Sequence, residues 1–484
     1  MKVDEREILH KIRTAAFTNP FDPKRRAIDL SITGLSSAES IEKIHSQLLS
    51  RVSETTEAIS ARNRKAGVVP GREEKELLRY GIVFRVFHDF CDAYDDHIRE
   101  QVKAGDEILS VKFGREALAV LTESGISEPE AIRYFSLFFQ MRRAFYFISG
   151  IAGASQCVMA LRRALWNNIF TSDSRIYDEF LWNRMEDFST MILGETGTGK
   201  GMAAAAIGRS GYIPFDSKRG QFSESFARAF TPINLSQYPE QLIESELFGH
   251  RKGAFTGAIE THKGIFSRCS PCGAIFLDEI GDVSIPVQIK LLQVLQDRTF
   301  TPVGSHREKK FQGRVIAATN KSLDQIRASG QFRDDFYYRI CSDVIHVPPL
   351  RQRLKEHPGE LSEILQFTIR RILGTKGLQA VEKISLYIRE NQPPGYPWPG
   401  NIRELEQCVR RIMLSDQYHW QNFGEDQGKI DQFIHEVEAG TLTGRQLLSQ
   451  YCRRLYRKLG TYEAVSQQTA LDRRTVKKYV TTLR

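Results

Sequence analysis

The chain has 484 residues, 41% of them hydrophobic, with 35 Gly and 17 Pro. That composition excludes a largely disordered protein, and the length fits about two to four domains. The 68 Lys+Arg against 59 Asp+Glu give a net charge of +9, and 7 Cys are too few for a disulfide framework in so long a chain, so a reducing, cytoplasmic compartment is expected. The first residues, MKVDEREILHKIR, contain no apolar stretch like that of a signal peptide. The uncharged run Phe145 to Leu161 contains Ser149, Gly150, Gly153, Ser155 and Gln156. It is short and weakly apolar for a membrane span of ~20 residues, so no membrane is expected.

Residues 1–146 read as a mainly helical domain with balanced charge, 23 basic and 23 acidic side chains over residues 1–150. Leu77, Leu78, Ile82, Val86, Phe90, Tyr94 and Ile98 recur at helical steps and predict one long amphipathic helix. Ser127-Glu-Pro-Glu130 predicts a capping-box start for another, running toward Phe147. The alternating strands and helices of a receiver domain are not visible. His88, Cys91, Asp92, Asp95, Asp96 and His97 sit at spacings that suit either a metal site or, more simply, a solvated acidic face.

The sharpest signal follows. Met191-Ile-Leu is a short apolar strand leading into Gly194, Glu195, Thr196, Gly197, Thr198, Gly199 and Lys200, and Met202–Ile207 is a good helix former. Strand, glycine-rich loop and helix make a P-loop, whose backbone N–H groups cradle phosphates while Lys200 reaches the β/γ-phosphates. Gly201 stands where the general pattern has Ser or Thr for Mg²⁺. Gly273-Ala-Ile-Phe-Leu-Asp278-Glu279 predicts a buried strand ending in two carboxylates. Asp278 suits Mg²⁺, and Glu279 suits the orientation or deprotonation of an attacking water. Arg314-Val-Ile-Ala-Ala-Thr319-Asn320 is a third buried strand with polar groups at its end. Arg333 and Arg339 could each stabilise a transferring phosphoryl group from a neighbouring subunit, or equally form a surface ion pair. Cys269-Ser-Pro-Cys272 has no second ligand pair and reads as a turn rather than a metal or redox site.

The last 40 residues hold ten basic side chains and two acidic ones, so +8 of the +9 lies there. Leu447, Leu448, Tyr451, Leu455 and Leu459 predict a helix ending at Gly460, followed by a short helix from Thr461 to about Gln468. Asp472 can cap a third helix carrying Arg473, Arg474, Thr475, Lys477 and Lys478, with Val476 and Tyr479 or Val480 inward. A basic helix after a tight turn suits the major groove of double-stranded DNA, although a generic helical bundle has the same periodicity.

Glu246-Leu-Phe-Gly-His-Arg-Lys-Gly253-Ala254-Phe255-Thr256-Gly257-Ala258 contains GAFTGA. Around it GETGTGK, GAIFLDEIGD, QIKLLQVLQDRTFTPVGS, RVIAATN, FRDDFYYRI, VPPLRQR and YPWPGNIREL occur in order. Over roughly residues 148–415 the chain resembles bacterial sigma-54-dependent transcriptional activators (enhancer-binding proteins). The resemblance implies a multidomain chain: a mainly helical N-terminal regulatory domain of unknown type (1–146), an α/β AAA+ P-loop ATPase core with a helical lid (147–415), a linker (416–440), and an all-α helix-turn-helix DNA-binding domain (441–484). It implies ATP and Mg²⁺ as cofactors, self-association into a ring, with a hexamer expected, and sigma-54 RNA polymerase holoenzyme as partner. Carried over by position, Lys200 binds phosphates, Asp278 Mg²⁺, and Glu279 activates water under restraint by Asn234. Thr319 and Asn320 form one sensor, Arg403 another, and Arg333 and Arg339 are finger candidates. Phe255 and Thr256 sit at the tip of a loop that presses on the sigma factor. The sequence departs from the family at Gly201, usually Glu there, at Arg251, usually acidic, and in an apparent insertion over Ser217–Phe230. The stretch between Gly153 and Gly194 is also longer than usual.

Overall fold

Periodic apolar residues wind the first third of the chain into eight helices: α1 (Val3–Phe17), α2 (Pro23–Thr33), α3 (Ile41–Ala66), α4 (Arg72–Asp89), α5 (Cys91–Ala104), α6 (Gly114–Glu123), α7 (Glu128–Ser149) and α8 (Gln156–Phe170). The expected long helix over residues 77–98 is in fact two, because Phe90 leaves helical geometry at φ −104° and ψ 7°. The break lets α4 pack on α1 and α3 while α5 turns onto α7. Ser127 does start α7, but its side chain makes no capping hydrogen bond, and a proline in the first turn supplies the helical φ instead. The computed structural model describes residues 1–66, 71–328, 330, 332–420, 436–437 and 439–481. No helix among them is long and apolar enough to cross a membrane.

After α8 the pattern changes to short all-apolar runs, which only a sheet covered on both faces can accommodate. The strands are β1 (Thr190–Leu193), β2 (Phe215–Asp216), β3 (Gln221–Phe222), β4 (Phe230–Asn234), β5 (Ala274–Asp278), β6 (Thr299–Phe300), β7 (Lys309–Lys310), β8 (Arg314–Thr319) and β9 (Asp343–His346). Five of them form a parallel sheet in the order β4-β5-β8-β1-β9, and β2–β3 and β6–β7 pair as antiparallel hairpins. In register, Leu193 faces Thr319 and Asn234 faces Asp278. The carboxyl ends of β4, β5, β8 and β1 therefore open onto one crevice, the usual ligand position in such sheets.

The chain separates into two compact units, residues 1–391 with 397–416, and residues 392–396 with 417–484. The expected boundary after residue 415 lies at the edge of this division. The one at 146/147 does not separate units, because it falls inside α7, whose side chains share a core with the sheet and its helices. Phe139 stacks on Phe222 of the β2–β3 hairpin at 3.9 Å, and Phe135 meets Phe215 edge-on at 4.6 Å. The fully buried Arg143 donates to Arg209 O and Gly211 O, both at 2.7 Å, just beyond the helix Lys200–Gly208. The segment read as an insertion, Ser217–Phe230, thus contains part of the hairpin that α7 packs on.

Among the described residues of the second unit, the helices Gly444–Leu459, Tyr462–Thr469 and Arg473–Thr481 pack around Cys452, Val465 and Val476. Asp472 caps the third, accepting from Arg474 N and Thr475 N at 2.9 and 3.0 Å. Of the apolar residues that predict the first helix, Leu455 and Leu459 pack on this core. Ser449 and Cys452 are buried, while Leu447, Leu448 and Tyr451 are exposed. Ser449 Oγ donates to Tyr479 O at 2.8 Å and sets that phase. Most of the expected linker, residues 421–435 and 438, lies outside the described residues, as does Arg484.

Candidate nucleotide site

The loop after β1 turns back over the start of the helix Lys200–Gly208 with Gly197 and Gly199 at φ 80° and 105°. At Gly197 a Cβ would lie 2.2 Å from Gly400 O, so the loop and the helix Asn401–Ser415 close on each other only through glycine. Ile402 N donates to Gly197 O at 3.0 Å. Lys200 is buried, and its Nζ donates to Gly194 O at 2.9 Å. Burial lowers its pKa, opposed by the Glu279 and Asp278 carboxylates. Burial likewise raises the Asp278 pKa, opposed chiefly by Lys200. A buried ammonium tied to backbone oxygens, facing the Asp278 carboxylate that burial penalises, is an arrangement that a phosphate and a divalent cation complete together. The donor set fits a nucleotide phosphate with a divalent cation, which Asp278 could hold. Gly201 supplies no hydroxyl.

Glu279 follows Asp278 in a left-handed conformation, φ 57° and ψ 44°, and its N–H donates to Asp278 Oδ1 at 3.1 Å. Asn320 lies between this carboxylate and the loop: its N–H points at Glu279 Oε2 at 3.4 Å and its Nδ2 donates to Thr196 Oγ1 at 3.2 Å. Thr319 is buried, its hydroxyl accepting from Lys321 N at 3.2 Å. Arg403 is exposed, yet close enough for its charge to lower the pKa values of Lys200 and Asp278. The structure therefore brings Glu195, Thr196, Thr198, Lys200, Asp278, Glu279, Thr319, Asn320 and Arg403 to one crevice.

Three expected residues lie outside this group. Asn234 stands beside Asp278 in the sheet, but its Oδ1 accepts from Ser236 N and Ser236 Oγ at 3.0 and 2.7 Å, so its hydrogen bonds cap a turn rather than restrain Glu279. Arg339 donates Nε and Nη2 to Leu295 O at 3.0 and 2.8 Å, within its own subunit. Arg333 is exposed and pairs with Asp335 at 2.8 Å. Two residues not singled out from the sequence complete the site. Asn401 (φ 52°) donates Nδ2 to Thr196 O at 3.1 Å and to Glu195 Oε2 at 3.2 Å, and Arg351 pairs with Glu195 at 2.5 Å. Both stand in quoted motifs, VPPLRQR and YPWPGNIREL, but their partners lie more than 150 residues away in sequence, so spacing carried no signal.

The GAFTGA segment is a compact turn in which Gly253 and Gly257 adopt φ 79° and 98°. Gly253 N donates to Ala258 O at 2.8 Å. Ala258 is buried, whereas Phe255 is 38% exposed and rests edge-on against His250 at 4.9 Å. Thr256 is exposed beside it.

Residues 175–346 match the family described as Sigma-54 interaction domain. The central stretch is thus similar to a sigma-54 interaction domain. That stretch carries the parallel sheet, the P-loop and the GAFTGA turn, and the chain is similar to curated regulatory proteins. The hydrogenase transcriptional regulatory protein HoxA of Cupriavidus necator is 43% identical over 47% of this chain and 44% of its own length. The Nif-specific regulatory protein of Azotobacter vinelandii is 40% identical over 50% and 43%. GlrR of Escherichia coli is 38% identical over 46% and 47%. The chain thus spans less than half the length of these relatives. A solved structure of NtrX from Brucella abortus in complex with ADP is similar at 19% identity and a TM-score of 0.41, over 76% of this chain and 80% of that one, too loosely to carry residue-level conclusions.

The remaining expected sites also have places. Among the described residues no group of three or more His, Cys, Asp or Glu could hold a metal ion. The His88–His97 cluster is neither a metal site nor wholly solvated: Asp95 pairs with Arg142 at 2.5 Å, and His97 is buried against Phe139 and Phe222. Cys269 and Cys272 are free thiols whose pKa values burial raises to about 12. In the second unit Arg473, Arg474, Lys477 and Lys478 are exposed, with Arg473 pairing with Glu463 at 3.3 Å, while Thr475 is half-buried.

Proposed function

We propose that this protein is a cytoplasmic, sigma-54-dependent transcriptional activator that hydrolyses ATP in a ring and binds double-stranded DNA upstream of its promoters. The observation that carries the reading is the exposed Phe255-Thr256 tip set in the same domain as a complete nucleotide crevice. Lys200 and the P-loop amides would hold the phosphates. Asp278 would hold Mg²⁺, which when bound would neutralise charge on the β- and γ-phosphates. Glu279 would align the attacking water, and Asn320, touching both Glu279 and Thr196, would report whether a γ-phosphate is present. Arg333, rather than the internally committed Arg339, is the arginine able to reach a neighbour's site. Phe255 and Thr256 would press on sigma-54 RNA polymerase, with two glycines letting the turn rise. Arg473, Arg474, Lys477 and Lys478, on the helix capped by Asp472, would enter the DNA major groove, with Thr475 beside them. Residues 441–484 would be the DNA-binding domain and residues 1–146 a regulatory part.

Glu279→Gln should retain ATP binding and lose turnover by at least ~100-fold. Thr256→Ala should keep turnover but abolish open-complex formation with sigma-54 polymerase on a supercoiled promoter. Open complexes formed normally by the Thr256 variant would refute the polymerase-remodelling reading.

A further inference from the structure

The GAFTGA turn lies inside a collar of like charge. Residues 250–263 and 301–310 carry Arg251, Lys252, Lys263, Arg307, Lys309 and Lys310 against Glu260 and Glu308, a net +4, whereas the first 444 residues as a whole sum to only +1. The two stretches are tied together. Arg251 N donates to Val303 O at 3.0 Å, Val303 N donates to Gly249 O at 2.8 Å, and His250 and His262 exchange backbone hydrogen bonds at 3.1 and 3.0 Å. Gly304 lies so near Ala254 that a Cβ on it would come within 2.7 Å. Lys309 reaches Ser267 Oγ at 3.2 Å, in the short helix Ile265–Arg268 that follows Lys263. All six cations are exposed, and none forms an ion pair among the described residues. Glu246, in the same motif, is taken up by His262 at 3.6 Å.

Two apolar side chains stand inside this collar: Phe255, 38% exposed, and Ile259, 76% exposed. An apolar centre within a charged rim is the layout of a protein–protein contact. The rim calls for carboxylates, since its cations lack them and opposite charges both attract and orient a partner. The centre calls for an aliphatic side chain, which would take Ile259 out of water. DNA phosphates would answer the cations but leave Ile259 uncovered. A peptide fits both parts, and a nucleic acid only one.

We propose that the collar docks an acidic protein segment that seats an apolar side chain against Phe255 and Ile259. This rests on the reading of Phe255-Thr256 as the contact that presses on sigma-54 polymerase, and it states what the contacted segment must carry. On that reading the segment belongs to the polymerase holoenzyme. The cations lie on the rim, so they steer the encounter, and binding should weaken as salt screens them.

The test is fluorescence anisotropy of the full chain with a short labelled peptide of Glu residues around two Leu, compared with the same peptide carrying Gln for Glu. The Glu peptide should bind about tenfold more tightly. The combined variant Arg251→Glu, Lys252→Glu, Lys263→Glu should lose about tenfold of that affinity, while ATP turnover and DNA affinity stay at the wild-type level. Peptide held by the basic C-terminal helices contributes equally to both proteins, so the difference between them reads the collar alone. Equal affinity for wild type and variant, or for the Glu and Gln peptides, overturns the proposal. A variant that loses DNA affinity instead makes the collar a nucleic-acid surface and overturns it as well. If the combined variant does not fold, Arg307→Glu with Lys309→Glu, on the other side of the turn, decides by the same outcomes. Capture of sigma-54 polymerase by the variant should fall in parallel. Normal capture with lost peptide binding would keep the acidic-segment site and refute its assignment to polymerase, so the two failures are distinguishable.

Discussion

His97 shows how a buried side chain converts packing into pH dependence. Enclosed by Phe139 and Phe222, it has a pKa pushed down by burial to about 4, against 6.5 when exposed. Between these values the unfolded chain binds the extra proton and the folded chain does not, so stability falls as pH drops through 6.5 and the loss is complete below 4. The loss from this residue is about 3 kcal/mol. His97→Phe should therefore flatten the urea-unfolding free energy over that window relative to wild type. An unchanged slope would mean His97 is solvated. The sequence placed His97 among acids on a helix and could not show its burial, because the two rings that enclose it come from elsewhere in the chain. Lys200, Asp278 and Glu279 were legible for the opposite reason. Each ends an all-apolar strand or a glycine loop, and a parallel sheet delivers those ends to a common edge whatever surrounds it.

At the scale of elements, the β2–β3 hairpin decides how the helical front attaches. Phe222 fills the gap between Phe135 and Phe139 of α7, so Phe222→Ala should cost about 3–5 kcal/mol. That loss should lower the melting temperature of the whole first unit in one transition. A transition split in two would show that the helices fold independently. Three strands of the sheet, β1, β5 and β8, and the terminal helices could be read from local apolar runs, glycines and the Asp472 cap, whereas the edge strand β9 was not. The hairpin could not, since two-residue strands carry no periodicity and their partners in α7 lie about 80 residues earlier. Along the helix Gly444–Leu459 the same apolar stripe is exposed at Leu447, Leu448 and Tyr451 and packed at Leu455 and Leu459. Periodicity reports a face and is silent on what covers it.

For the whole molecule, the two units make different demands on an experiment. A chain beginning at residue 147 would keep only the last turn of α7, removing Phe135, Phe139 and Arg143 from the core that holds the hairpin and the end of the P-loop helix. It should be recovered aggregated, with no cooperative melting transition. A chain ending at residue 416 should melt as the intact first unit does and retain ATP turnover per site at high protein concentration. Since +8 of the +9 charge lies in the last 40 residues, DNA affinity of the full chain should fall steeply with salt as phosphate contacts release counterions. Binding measured by anisotropy at 50 and 200 mM salt checks this, and a flat response would argue against phosphate contacts by that helix.

The shared core also constrains how the protein is made. On the ribosome α7 is complete at Ser149, with Tyr94, His97 and Phe113 already made, but the other rings that pack on Phe135 and Phe139 arrive only with Phe215, Phe222 and Phe226. At a synthesis rate of about 5–20 residues per second that leaves an aromatic helix only partly covered for roughly 4–15 s. Nascent chains of this protein should recruit a holding chaperone in that interval, and slowing translation between codons 150 and 226 should lower the soluble yield.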